Sequence, residues 1–181
     1  MITRLRPKWS DAELARIYAT PHNHRQWEDH VIRVNRTLEI AQAIEGVKSA
    51  ADLSAGDAFI VIALGLNKTF IGDYAPRYEY TGAIEKTIEQ IPNVDLFICS
   101  ETLEHIDNPI ALLKQIRAKT RYLLLTTPHA RFDDNNPEHY WAWDKDGIAE
   151  LLAEAGFTTV SFELLELADD YYYDYQIWVC K

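Results

Sequence analysis

The chain has 181 residues, 48% of them hydrophobic and 25% charged, with 18 Lys and Arg against 28 Asp and Glu for a net charge of −10. That length suits one well-buried domain rather than two, and so acidic a chain repels a phosphate backbone, which excludes extended nucleic-acid contacts. No apolar run approaches the roughly 20 residues that cross a bilayer, and the start, MITRLRPKWSDAEL, lacks the apolar core of a signal peptide, so a cytoplasmic protein with no membrane partner is expected.

Residues 10–45 read as a helical preface. Ser10 or Asp11 can cap a helix over 12–18, Pro21 interrupts, and Trp27, Val31, Val34, Leu38, Ala41 and Ile44 recur at helical spacing up to Gly46. Strand and helix then alternate, with strands over 50–53, 69–73, 78–81, 94–99 and 122–127 and helices over 57–66, 83–91 and 109–118. An irregular stretch over 128–143 leads to a helix over 144–155 and to strands over 158–165 and 172–180. Strands apolar on both faces belong to a mainly parallel α/β sheet covered by helices on both sides. The link Ala168-Asp169-Asp170 is too short for a parallel crossover, so the last strand is antiparallel. Cys99 and Cys180 fall inside strands and read as reduced, buried small hydrophobes. The chain is expected to be a single domain over 1–181, with 1–45 as a helical cap on a 46–181 core, and ligands gather at the carboxyl ends of the strands.

Two loops at those ends carry candidate chemistry. In AADLSAGD, strand gives way to a small-residue turn in which Gly56 lets the backbone approach a ligand closely. Asp57 beside it repels a pyrophosphate, which disfavours NAD or FAD. In SETLEHIDNP, Pro109 fits a first helical position with Asp107 or Asn108 as its cap, so 101–105 form a turn. Glu101, Glu104 and His105 stand at i, i+3 and i+4 and can share one ligand; two carboxylates and an imidazole suit a divalent cation such as Mg, Mn or Zn. His129 and His139 lie in the later loop as further ligands. Without a metal, the Glu-His pair fixes the turn, or His105 or His139 serves as a general base.

Asp52, Leu53 and Gly56 match the D-L-G-x-G-x-G pattern of the class I S-adenosylmethionine-dependent methyltransferases, which the sequence resembles over residues 46–181; Ser54 and Ala58 stand where glycines usually do. The resemblance implies a Rossmann-like, mostly parallel seven-stranded sheet with an antiparallel last strand and S-adenosylmethionine as cofactor. Asp52, Ser54, Gly56 and Asp57 would then form the first cofactor loop. Asp73, 21 residues after Asp52, would grip the ribose diol, Ile84 with the backbone of Gly82 and Ala83 would cradle adenine, and Ser100 and Glu101 would complete the cofactor contacts. The E-x-x-E-H run with a later His looks like that of two metal-dependent groups, the small-RNA 3′-terminal 2′-O-methyltransferases and the catechol O-methyltransferases of ubiquinone biosynthesis. That likeness implies Glu101, Glu104, His105 and His139 as metal ligands, with Glu104, His105 and His139 acting in catalysis on one of two adjacent substrate hydroxyls.

The expected activity is O-methylation of a small-molecule or nucleotide-type substrate. The alternatives are a metal-independent methyltransferase with a His base and a non-catalytic binding module. Amino-group methylation of DNA adenine is disfavoured, since SETLEH stands where an N/D-P-P-Y/F motif is usual. His22 and His24 are candidates to touch substrate, Trp27 is expected to pack on the sheet, Trp141 and Trp143 are stacking candidates, and the aromatics over 171–178 are expected to pack on one strand face.

Overall fold

The chain is described here by a computed structural model covering residues 1–20, 23–168 and 170–181; Pro21 and His22, expected as a helix break and a substrate contact, lie outside the described residues, as does Asp169 of the final link. In chain order the elements are β1 (Ile2–Arg4), α1 (Asp11–Tyr18), α2 (Glu28–Gln42), β2 (Ser49–Asp52), α3 (Phe59–Ala63), β3 (Lys68–Asp73), β4 (Tyr80–Thr81), α4 (Ile84–Thr87), β5 (Val94–Ser100), α5 (Pro109–Lys119), β6 (Thr120–Pro128), β7 (Trp141–Trp143), α6 (Lys145–Glu154), β8 (Thr159–Leu165) and β9 (Tyr175–Cys180). A reciprocal capping box between Ser10 and Glu13 starts α1, and the Asn108 side chain caps α5 with Pro109 in its first turn.

Side-chain alternation along β5 decides which layer covers which face. Phe97 and Cys99 join Ile84, Leu113 and Ile148 beneath α4, α5 and α6. Leu96 and Ile98 join Ala41 of α2 and Ile60 and Val61 of α3 on the opposite side. The resulting Rossmann-like sheet has the order β4-β3-β2-β5-β6-β9-β8. It is parallel from β4 to β6, and β9 runs antiparallel to both its neighbours. The order reverses at β2, between β3 and β5, which opens a crevice over their carboxyl ends. Asp52, Asp73 and Ser100 are the last residues of those three strands. Cys99 and Cys180 are buried and free.

Several expectations are corrected. Helix α3 is shorter than 57–66, because Ala58 precedes it in the left-handed region at φ 60°. Residues 128–143 are not irregular throughout: β7 pairs antiparallel with β1, Ile2 opposite Trp143 and Arg4 opposite Trp141. Neither tryptophan of β7 is free to stack on a ligand. Trp143 is 1% exposed and donates its indole N–H to Thr127 Oγ1 at 2.8 Å. Trp141 donates to the Ile106 carbonyl at 2.9 Å under the Arg4 guanidinium. Trp27, by contrast, is 49% exposed rather than packed on the sheet.

Gly72 shows how closely β4 is held. A Cβ there would lie 2.5 Å from the Tyr80 carbonyl oxygen and 3.0 Å from Leu53 Cδ2, and Tyr80 is its register partner. Gly72→Ala is therefore expected to destabilise the chain by about 1–3 kcal/mol in urea denaturation; an unchanged midpoint would show that β4 is not seated as described.

Candidate active site

A cleft of about 560 Å³ opens over the strand ends. Its floor is the first loop. The Gly56 N–H donates to Asp73 Oδ2 at 2.9 Å and the Ala75 N–H to Oδ1 at 3.2 Å, so the Asp73 carboxylate is fixed facing the cleft. The Gly56 carbonyl accepts from Tyr78 Oη at 2.7 Å and from Arg77. Gly56 has φ 54°, whereas Ser54 is absent from the positive-φ positions, so a serine is tolerated where a glycine is usual. Ser54, Gly56, Asp73, Ile84 and Glu101 line this cleft together with Leu53, Tyr74, Gly82 and Thr102. Asp57 and Ser100 line an adjoining pocket between α2 and α3, where Asp57 Oδ2 accepts from Arg25 Nε at 2.7 Å. Asp52 lies behind both, 4% exposed, accepting from the Ser54 N–H, and burial pushes its carboxyl up to about 7.

At the other end of the cleft Glu104, His105 and His139 converge, one ligand atom from each lying within 4.8 Å of the others. A 3₁₀ turn, Leu103–His105, follows β5 and turns Glu104 inward. Glu104 is 1% exposed. Its Oε2 accepts from Thr127 Oγ1 at 3.2 Å, while Oε1 is buried with no hydrogen-bond partner and lies 3.8 Å from His105 Nε2. His105 Nδ1 is 2.9 Å from the Glu138 carbonyl; a carbonyl only accepts, so Nδ1 carries the proton and Nε2 keeps its lone pair. His139 Nδ1 meets Asp134 Oδ2 at 2.7 Å and its Nε2 meets the Asn136 amide nitrogen at 3.2 Å. The two rings stand edge to face with centroids 4.8 Å apart.

Glu101 is not in this cluster. At φ 49° it turns the chain away from β5, and its Oε1 accepts from Thr126 Oγ1 at 2.9 Å and lies 3.9 Å from Arg33 Nε. The expected four-residue set is thus three residues plus an acid held by an arginine. Burial raises the Glu101 pKa against the opposing pull of Arg33.

Arg33 is a residue that sequence reasoning missed. Only 3% exposed, it donates from Nη1 to Ser100 Oγ at 2.7 Å, meets His30 Nδ1 at 3.0 Å from Nη2, and keeps a buried Nε with no hydrogen bond. The available signal was its place on the buried stripe of α2 with Thr37 and Ala41: a charge at i, i+4, i+8 spacing among buried residues. Asp134 was likewise missed, though it stands five residues before His139. So was Tyr18, whose hydroxyl donates to Glu138 Oε2 at 2.8 Å. His24, one of the two candidates to touch substrate, lines the cleft with His30, Trp27, Tyr172, Tyr173 and Tyr175, whereas Trp178 is buried.

A family profile described as a methyltransferase domain matches residues 11–162. No curated protein matches the sequence. Among solved structures, a 1,6-didemethyltoxoflavin-N1-methyltransferase of Burkholderia thailandensis, with bound 1,6-didemethyltoxoflavin and S-adenosylhomocysteine, superposes with a TM-score of 0.71 at 16% identity, covering 99% of this chain and 93% of that one. A Leishmania major SAM-dependent methyltransferase gives 0.67 at 13% identity, over 94% and 82% of the two chains. The magnesium protoporphyrin IX methyltransferase of Synechocystis PCC 6803 with bound SAH gives 0.63 at 13%, over 83% and 82%. At such identities the likeness is one of fold.

Burial, reinforced by the Glu101 charge, pushes the Glu104 carboxyl up to about 8. Burial and then His139 push His105 down to about 3. For His139 burial opposes the charged ring, yet the Asp134 hydrogen bond and the Glu104 charge outweigh it, so its pKa is raised. A folded pKa above the ordinary 4.5 means that Glu104 is protonated in the metal-free folded chain when it is already ionised in the unfolded one. Its contribution is therefore fully present below pH 4.5 and is lost as pH rises toward 8. Glu104→Gln is expected to remove that loss, so the variant's stability should exceed the parent's at pH 8 and the gap should close at pH 5, as read by urea denaturation; parallel pH profiles would contradict the assignment.

Proposed function

The chain belongs to the methyltransferase-domain family, and on that footing we propose that it is an S-adenosylmethionine-dependent O-methyltransferase in which Glu104, His105 and His139 hold a divalent cation. The observation that carries the metal reading is the Glu104 oxygen, buried without a partner and facing two imidazoles. The outer nitrogen of each ring is engaged by an acceptor, the Glu138 carbonyl or the Asp134 carboxylate, as metal-bound histidines commonly are. A mixed carboxylate and imidazole set suits Mn²⁺ or Zn²⁺ better than a set of oxygens alone would.

For the cofactor, two neighbours of this fold carry bound S-adenosylhomocysteine, and the cleft over the strand ends with its first-loop floor offers the seat. Asp73 then accepts from the ribose diol, Ile84 and Tyr74 flank the base beside Gly82, and Ser54, Ser100 and Glu101 face the methionine end with Asp52 and Asp57 behind the loop. Arg33, with an unused buried N–H, offers a counter-charge to a carboxylate. Of residues 1–45, expected as a helical cap, 10–45 act as a cap on the core of one domain, while Ile2–Arg4 form a strand paired with β7.

When bound, the cation lowers the pKa of a coordinated hydroxyl and the cofactor supplies the methyl group. The protein's own residues orient and shield: Asp134 and the Glu138 carbonyl fix the two imidazole tautomers, and Tyr18 closes over Glu138. Asp29, Glu85, Glu101 and Glu138 outnumber Lys8 and Arg33 around the cleft, which favours a neutral or cationic small molecule with two adjacent hydroxyls over a nucleotide-type substrate. No helix among the described residues is long and apolar enough to cross a membrane, and we place the activity in the cytoplasm.

The Asp134–His139 pair favours one further reading, a metal-free enzyme with His139 as general base. His105, held near 3, is the weaker base of the two. Calorimetry separates the readings. Mn²⁺ should bind the parent, and His105→Ala should weaken it about tenfold or more, with S-adenosylhomocysteine affinity unchanged. Asp73→Ala should weaken S-adenosylhomocysteine by about 10–100-fold. Absence of Mn²⁺ binding with tight S-adenosylhomocysteine binding leaves the His139 base; absence of both leaves a non-catalytic module.

A further inference from the structure

We propose that the N-terminal strap, residues 1–9, is a positioning device that clips together the two loops carrying the Glu104–His105–His139 cluster, with Arg6 as its principal positioning residue; this rests on the metal reading above. One Arg6 Nη donates to the Asp134 carbonyl and the other to the Asn136 carbonyl. Those are the two residues whose side chains meet the two ring nitrogens of His139. A single guanidinium on the strap therefore fixes the backbone beneath the Asp134 acceptor that orients His139 through Nδ1, and beneath Asn136, whose amide yields Nε2 when a cation takes that nitrogen.

The rest of the strap ties the same loop to the other one. The Leu5 N–H donates to the Tyr140 carbonyl at 2.8 Å, and the Tyr140 N–H donates to the Glu104 carbonyl at 2.8 Å. Arg4 donates to the Asp107 carbonyl at 3.2 Å and pairs with the Asp107 carboxylate, two residues beyond His105. The strap is seated on α6: the N–H of Asp144, which caps that helix, donates to the Met1 carbonyl at 3.2 Å, and a Cβ on Gly147 would lie 2.3 Å from that carbonyl oxygen. None of these residues reaches the cluster itself, so the strap acts only through the loops.

Two variants test this from opposite sides. Arg6→Met removes the donors and keeps the stem. Gly147→Ala lifts β1 without touching either loop, and in a helix that substitution by itself raises stability. Mn²⁺ affinity should fall about 10–100-fold in both, the range seen on loss of groups that orient metal ligands, while S-adenosylhomocysteine affinity stays within about twofold of the parent. Unchanged Mn²⁺ affinity in Arg6→Met, or parallel loss of both affinities with the melting temperature, overturns the proposal. If the parent binds no Mn²⁺, the metal reading fails and amide exchange judges the strap alone. Faster exchange reaching 134–140 in both variants supports it, and unchanged exchange there overturns it.

Discussion

Glu104 is taken out of water at the end of β5 with one oxygen bonded to Thr127 and the other bonded to nothing. An ionised carboxylate in that position costs several kcal/mol unless a positive charge or donor meets it. The chain accommodates this in its metal-free form by keeping the group protonated, which is the meaning of a pKa near 8. His105 is held neutral beside it for the same reason, burial. The proposed cation would relieve that cost, because metal binding releases the proton that the carboxylate otherwise keeps. The surrounding groups hold the cluster in place: acceptors on the outer nitrogens, Tyr18 over Glu138, and Arg33 drawing Glu101 aside.

The topology brings the parts together. Because the strand order reverses at β2, the Asp73 loop and the Glu101–His105 turn stand on either side of one crevice. β6 and β9, antiparallel to each other, bring the 129–143 loop and the Tyr172–Tyr175 segment to the same end. The helical preface covers the opening through Tyr18, His24 and Trp27. The cluster therefore draws on two separate stretches of chain, and a third, the strap of residues 1–9, is hydrogen-bonded beside both.

The sheet was legible because its signals are local and redundant. Val94 to Cys99 is apolar on both faces, and the link near Asp169 is too short for anything but an antiparallel return. Glu104 and His105 could be singled out because a carboxylate and an imidazole leave a buried strand together, and His139 through the likeness to the E-x-x-E-H groups, which carry a later His. The strap pairing was not legible: a three-residue strand has no periodicity to read, and its partner, Trp141–Trp143, looked like a ligand-stacking pair until Ile2–Arg4 was laid beside it. Glu101 was grouped with Glu104 by its spacing and by the E-x-x-E-H likeness. Its displacement depends on Arg33, some seventy positions earlier, a contact that no local pattern encodes.

The most direct test of the account is anomalous diffraction at the manganese edge from crystals grown with Mn²⁺ and S-adenosylhomocysteine. The account predicts one strong peak about 2–2.3 Å from Glu104 Oε1, His105 Nε2 and His139 Nε2, with the adenosyl group beyond Gly56 and its ribose on Asp73. A cofactor seated there with no peak at the three residues, or a peak ligated elsewhere, would contradict it.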